Sequence, residues 1–328
     1  GSEMCIRDRY RARGGYNVIS ENFTFIGEEQ VQVYAYRWLP DPEISVKGIV
    51  QIAHGMAEGA HRYERVANYL TDRGYIVYAH DHRGHGRTAK DLDDIGILAE
   101  KEGFKCLVKD LYSLTQLIKK ENSQLPLFLL SHSMGSFVAQ AYIMRYGKEL
   151  DGVILSGTNG KQGFILDIGL WVAKQQVKKK GRNTKSPEMD KLIFGTYNKQ
   201  FKPNRTSFDW LSRDEKEVDK YIEDPYCGSV FTAGFFEDFL TGLKYVGSLE
   251  NKKSIPLDLP IYIFAGDKDP VGRNGKGIYD LVKDYEKVGI KNVTYKLYPE
   301  GRHEMFNEIN RKEVMEDVVK WLDSLIER

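Results

Sequence analysis

The sequence predicts an α/β protein: a mostly parallel sheet with helices on both faces, interrupted once by a mainly helical insertion. Three observations predict it. Strand-length apolar runs alternate with helical-period segments through the first half of the chain. The alternation stops between residues 158 and 247, and it resumes after residue 258 with two more predicted strands, each followed by an amphipathic helix.

Taken in order, FTFIG and VQVYAYRWLP are β-rich runs separated by the turn-like GEEQ, which predicts an antiparallel hairpin. KGIVQIAHG is nearly all apolar, as in a strand buried on both faces. HRYERVANYLTDRG carries apolar residues at helical spacing and stops at Gly74; YIVYAHD is again a buried strand. Residues 104–120 read as a helix, PLFLLSHS as a strand, MGSFVAQAYIMRYG as a helix and DGVILSG as a strand. LPIYIFAGDKD, a helix over residues 276–288, NVTYKLYPE and the helical EVMEDVVKWLDSLIER complete the pattern. This predicts a core of residues 12–157 and 248–328, with 158–247 as an inserted cap. Gly1-Ser2 resembles a cloning remnant and EMCIRDR a translated sequencing adapter, so residues 1–11 are expected not to be native.

Composition excludes several functions. The 48 basic and 47 acidic residues leave a net charge of +1, with no field to attract nucleic acid or an anionic membrane. The one basic run, KQQVKKKGR, reads as a solvated helix end. No apolar stretch approaches the ~20 residues of a membrane span, and no secretory signal is visible. Cys5, Cys106 and Cys227 are few and widely spaced, which predicts free thiols and a cytoplasmic setting.

The chemistry concentrates where an apolar strand runs through Ser131-His132-Ser133-Met134-Gly135 straight into a helix. That is the context of a nucleophile elbow, in which small residues flank a serine on a sharp, strained turn. Ser131 stands where the usual pattern has glycine. The alternative is that Ser133 merely caps the helix. One histidine follows Ser133 in the chain, His303, in the loop after the last predicted strand, where a base must return over the nucleophile. The acid belongs after the preceding strand, where Asp267 and Asp269 both stand; Asp269 is favoured because the turn projects it toward the histidine loop, leaving Asp267 to bond backbone within the turn. Two backbone N–H groups must face the developing oxyanion, one from Met134 and one from Met56, which follows His54-Gly55.

AHGMAEGAHRY, AHDHRGHGRT, SHSMGS, AGDKDPV and GRHEMFNE together resemble the monoacylglycerol lipase and lysophospholipase branch of the α/β hydrolases, from about residue 22 to the C-terminus. The resemblance implies the α/β-hydrolase fold with an eight-stranded, mostly parallel sheet. It implies Ser133, Asp269 and His303 as triad, Met56 and Met134 as oxyanion donors, no cofactor or metal, and a small acyl ester or lipid as substrate. Peptidases that release N-terminal residues share this scaffold and need an anion for the substrate's amine; Glu237, Asp238 and Asp224 are candidates. His80-Asp81-His82-Arg83-Gly84-His85 approaches a dinuclear metal motif but has Gly84 in place of aspartate, and reads as a loop near the site. A binding module without catalysis is the remaining alternative. Within the cap, Phe164, Ile168, Trp171 and Val172, with Phe231, Phe235, Phe236 and Phe239, are more apolar surface than a small insertion buries within itself; Trp171 and Phe235 are the expected walls of an acyl tunnel above Ser133.

Overall fold

The computed structural model describes residues 6–11 and 17–326. Its strands are β1 (Ile6–Arg11), β2 (Asn17–Ile26), β3 (Gln32–Leu39), β4 (Gly48–Ala53), β5 (Tyr75–His80), β6 (Leu127–His132), β7 (Gly152–Ser156), β8 (Ile261–Gly266) and β9 (Val293–Tyr298). They form one sheet in the order β1-β2-β3-β5-β4-β6-β7-β8-β9. β1 to β3 are antiparallel to their neighbours, and β4 to β9 run parallel.

Eight of these strands, β2 to β9, make the expected sheet, including the hairpin that pairs Ile26 with Gln32. The ninth, β1, lies in the segment set apart as non-native, and pairs along the outer edge of β2. An edge strand needs only the unpaired backbone of its neighbour, so pairing there does not depend on a buried side-chain pattern. Cys106 and Cys227 are free thiols, and Cys5 lies outside the described residues.

The buried strands divide their side chains by parity, because successive residues point to opposite faces. Ile49, Leu127 and Leu129 pack with helices α2 (Gly103–Glu121) and α3 (Met134–Tyr146). Val50, Ile52, Phe128 and Leu130 face α1 (Glu64–Thr71) on the other side, together with the C-terminal helix. Gln51 is fully buried on the first face, yet its amide donates to Leu111 O (2.9 Å) and accepts from Thr115 Oγ1 (2.8 Å).

Between β7 and β8 the chain adds no strand to the sheet. It forms α4 (Phe164–Lys180), α5 (Pro187–Phe194), α6 (Glu215–Glu223), α7 (Ala233–Val246) and α8 (Leu249–Lys252). α7 lies on α2 and α3, and α4 lies on α7. α9 (Lys276–Lys287) and α10 (Arg311–Ile326) complete the chain. Among the described residues, no helix is long and apolar enough to cross a membrane.

Candidate active site

The C-terminal ends of parallel strands are where an open α/β sheet gathers functional loops, and four such ends converge here. After β6, Ser133 takes φ 51° and ψ −123°, a conformation disfavoured for an L-residue, which lifts its hydroxyl out of the strand-to-helix turn. Its N–H is held by Ser156 O of β7 (2.9 Å). Ser131 is accommodated because its fully buried hydroxyl donates to Ile154 O at 2.7 Å, so the polar group brought by the missing glycine is satisfied. Gly135 has no such latitude: a Cβ there would sit 2.2 Å from Ala53 O and 2.4 Å from His54 O.

His303 Nε2 lies 2.8 Å from Ser133 Oγ, and Nδ1 lies 2.9 and 3.0 Å from the two Asp269 oxygens. With the proton on Nδ1, the ring donates to Asp269 and offers its Nε2 lone pair to the serine hydroxyl. Asp269 is fully buried and also accepts from Val271 N (2.9 Å). Asp267 points elsewhere: it accepts from Glu300 N (2.8 Å), bracing the loop after β9 rather than the turn two residues on. Burial pushes the His303 imidazolium down, but the Asp269 charge and hydrogen bond, helped by Glu304 and Glu58, outweigh it and raise its pKa above 6.5.

The loop after β4 packs against the elbow, since a Cβ on Gly55 would lie 3.2 Å from Ser133 Cβ. Met134 heads α3 directly after the serine, and Met56 follows Gly55 on the wall of the cavity that opens at Ser133. A buried ion network braces this loop. Glu58 accepts from Gly55 N and Tyr63 Oη (both 2.6 Å) and pairs with Arg62, which grips Glu304 through its Nη1 and Nη2 (2.7 and 2.9 Å). Glu304 is the residue after His303, so one arginine joins the loop after β4 to the loop carrying His303. Reading the sequence did not single out these three charges; the only signal was their place inside two of the motifs.

The model of the serine aminopeptidase S33 family matches residues 44–310. The chain belongs to this family. Within it, the chain falls in the monoacylglycerol lipase-like branch of the α/β hydrolases. It is 31% identical to a monoacylglycerol lipase of Mycolicibacterium smegmatis over 92% of this chain and 96% of that one. It is 27% identical to the human monoglyceride lipase, over 82% and 83% of the two chains. The structure superposes on a thermostable carboxyl esterase from Bacillus coagulans with a TM-score of 0.87, at 28% identity and covering 94% and 99% of the two chains.

The segment between β7 and β8 supplies part of the lining of the cavity at Ser133. The cavity at Ser133 has a volume of about 390 Å³, and Met56, Phe194, Phe208, Trp210, Leu211 and Tyr221 supply its apolar walls. Neither expected tunnel residue is among them. Trp171 is 62% exposed on α4, as are Phe164 (76%) and Ile168 (45%), while Val172 packs on the core. Phe235 is buried in α7 against Phe231, Phe239 and His85. The reason is layering: α7 closes over α2 and α3, and α4 lies outside α7, so the outward stripe of α4 is exposed and the phenylalanines of α7 extend the core. Helical spacing reveals that a helix has an apolar face, but not which neighbour that face meets.

The carboxylates considered for holding an amine are paired elsewhere: Glu237 and Asp238 with Arg182, Asp224 with His61. Asp190, which the sequence reading passed over, does line the cavity, half-buried, and burial raises its pKa.

Under the loop after β4 lies a stack of buried histidines. His54 and His82 have ring centroids 4.3 Å apart, with His80 4.8 Å from His82 and His85 5.3 Å from His54. Their polar contacts are partly to backbone, with His82 N donating to His54 Nε2 and His85 Nδ1 to Arg83 O. Among the described residues, no three His, Cys, Asp or Glu side chains are grouped as metal ligands. Burial and mutual charge hold His54, His80 and His82 well below their usual pKa. Burial lowers His85 to about 4, and burial with His303 lowers His132 to about 3.

These five rings are expected to make the fold acid-labile. Their folded pKa values are depressed, so below about pH 6.5 the unfolded chain binds more protons than the native one, and stability falls as pH drops. Each histidine costs about 1.4 kcal/mol one pH unit below that value. The melting temperature is expected to fall steeply between pH 7.5 and 5.5. Replacing His80, neither of whose ring nitrogens has a hydrogen-bond partner among the described residues, with leucine is expected to shallow that fall by about one proton. An unchanged slope in the leucine variant would count against the stack as its source.

Proposed function

We propose that this chain hydrolyses carboxylic esters through an acyl-enzyme, with Ser133 as nucleophile, His303 as base, Asp269 as the acid that orients it, and residues 158–247 as the cap over the site. The observation that carries this reading is the chain of contacts from Ser133 Oγ to His303 Nε2 (2.8 Å) and from Nδ1 to Asp269 (2.9 Å) at a cavity of ester-binding size. The Ser133 proton moves to His303 as Oγ bonds to the carbonyl carbon. The resulting oxyanion is held by the N–H groups of Met56 and Met134. Collapse expels the alcohol, which takes the proton from His303. Water, deprotonated by the same ring, then releases the acid and restores the serine. The cycle uses these side chains and backbone groups alone.

The apolar walls support esters with medium or long acyl chains as substrates, monoacylglycerols or lysophospholipids, in line with the lipases this chain is similar to. Each methylene buried is worth about 0.8 kcal/mol, about fourfold in efficiency. kcat/KM is expected to climb from acetyl to octanoyl p-nitrophenyl esters. Phe194→Ala is expected to flatten that climb, whereas Trp171→Ala, on the outer helix, leaves it intact. Highest efficiency with acetate, falling as the chain lengthens, would contradict the acyl assignment.

One observation favours a second reading. Asp190 places a carboxylate in the cavity, as a peptidase acting on free N-termini requires. A panel of p-nitrophenyl esters against aminoacyl naphthylamides separates the two, and faster cleavage of the amides would establish the peptidase.

A further inference from the structure

The residue after Met56 is Ala57, whose φ of +56° is one that L-residues adopt only under restraint. The restraint is visible. The Ala57 carbonyl accepts two hydrogen bonds, from Tyr221 Oη (2.9 Å) and from Gly228 N (3.0 Å), and both donors belong to the segment between β7 and β8. One residue before Met56, the Gly55 N–H is gripped by Glu58 at 2.6 Å. The Met56 peptide is therefore clamped on both sides, by the core through Glu58 and by the insertion through Tyr221 and Gly228. Tyr221 is itself held: it lies on α6, is 6% exposed, and the Arg62 guanidinium sits 4.9 Å from its ring centroid.

We propose that Tyr221 is a positioning residue for the oxyanion hole, fixing the Met56 N–H by holding the Ala57 carbonyl, so that the insertion builds part of the catalytic geometry as well as covering it. This rests on the reading of Ser133 as nucleophile and Met56 as oxyanion donor. A peptide N–H turns only when the backbone dihedrals on either side of it turn, and those are what the two clamps prevent. Without the tyrosine hydroxyl, Gly228 alone retains a strained carbonyl. The N–H then spends less time aimed at the oxyanion, and a donor that is not preorganised loses transition-state stabilisation without weakening ground-state binding.

The test uses the full chain and Tyr221→Phe, which removes only the hydroxyl, with kcat counted per fluorophosphonate-titrated site so that unfolded molecules do not contribute. On p-nitrophenyl butyrate, kcat is expected to fall about 3- to 10-fold, the range of one lost hydrogen bond. KM should stay within about twofold and the acid limb of the pH profile should not move, because His303 is untouched. Inactivation by diethyl p-nitrophenyl phosphate should slow by the same factor as kcat, since its phosphoryl oxygen enters the same hole. Tyr142→Phe, which removes a buried hydroxyl bonded to Thr115 Oγ1 (2.9 Å) between α3 and α2, is the control and should leave kcat unchanged. A Tyr221→Phe enzyme with kcat within twofold of the parent, or changed in KM alone, overturns the proposal and leaves Tyr221 a cavity wall. Ser133→Ala assayed alongside separates the two levels. Activity in that variant sinks the nucleophile reading, whereas an inert Ser133→Ala with an unimpaired Tyr221→Phe sinks only the role of Tyr221.

Discussion

Alanine at Ser133 is expected to lower turnover by about 10⁶-fold, the loss on removing the nucleophile of a comparable triad. Neither neighbouring serine in the chain can substitute. Ser131 is fully buried with its hydroxyl committed to Ile154 O, and the Ser136 hydroxyl donates to Ser133 O at 2.6 Å. The fold should survive, because alanine removes only an oxygen and relieves no contact that shapes the turn; the strained φ of 51° is set by the Ser133 N–H bond to Ser156 O and by the close passage of Gly135 under Ala53. A melting curve superimposable on the parent, together with loss of both ester turnover and fluorophosphonate labelling, is the expected pattern. Turnover within tenfold of the parent would refute Ser133 as nucleophile.

Asp269→Asn is expected to cost about 10⁴-fold in kcat, against less than tenfold for Asp267→Asn. The amide nearly preserves the shape of the carboxylate but removes its charge, and its NH₂ cannot accept the Nδ1 proton. His303 is then driven toward the tautomer with its proton on Nε2, where it cannot take one from Ser133. The pH profile supplies an independent reading. The base must be neutral, so the rate rises with pH through the His303 pKa, which in the parent lies above 6.5 although burial alone would lower it. Taking away the Asp269 charge leaves burial dominant, so the acid limb of the residual activity is expected to move to lower pH. Asp267→Asn should leave that limb in place, since its carboxylate serves the Glu300 N–H. If instead Asp267→Asn is the crippled variant, the acid is Asp267.

The order of strands and helices was legible because both signals are local. Leu127 to Leu130 and Val153 to Leu155 are apolar on both faces, as only a strand sandwiched between helix layers can be, and Leu107, Leu111, Leu114 and Ile118 recur at the spacing of one helix face. The three groups now joined by hydrogen bonds were legible for a related reason. Each of Ser133, Asp269 and His303 directly follows or closely trails the C-terminal end of a parallel strand, the first two on wholly buried strands and His303 after the half-exposed β9, so the strand ends bring them to one edge of the sheet. The supporting charges were not legible: Arg62 bridges two loops more than two hundred residues apart in the chain, and no local pattern distinguishes it from a surface arginine.

By itself, then, the sequence determined the periodicities, the sheet they build, and the side chains delivered to its C-terminal edge, all properties of a segment and its immediate neighbours. Tertiary structure alone decided which face of each inserted helix meets the site. Trp171 and Phe235 carry the residue type of a substrate wall, but one faces outward from the outermost layer and the other is sealed into the core, while the walls come from Phe194 on α5 and Trp210 in an irregular stretch. Long-range packing likewise brought Tyr221 to the Ala57 carbonyl, 164 residues away in the chain. The physical reason is that hydrophobic burial has no direction: it drives an apolar side chain out of water without specifying the partner, and only the stacking order of the layers supplies that choice.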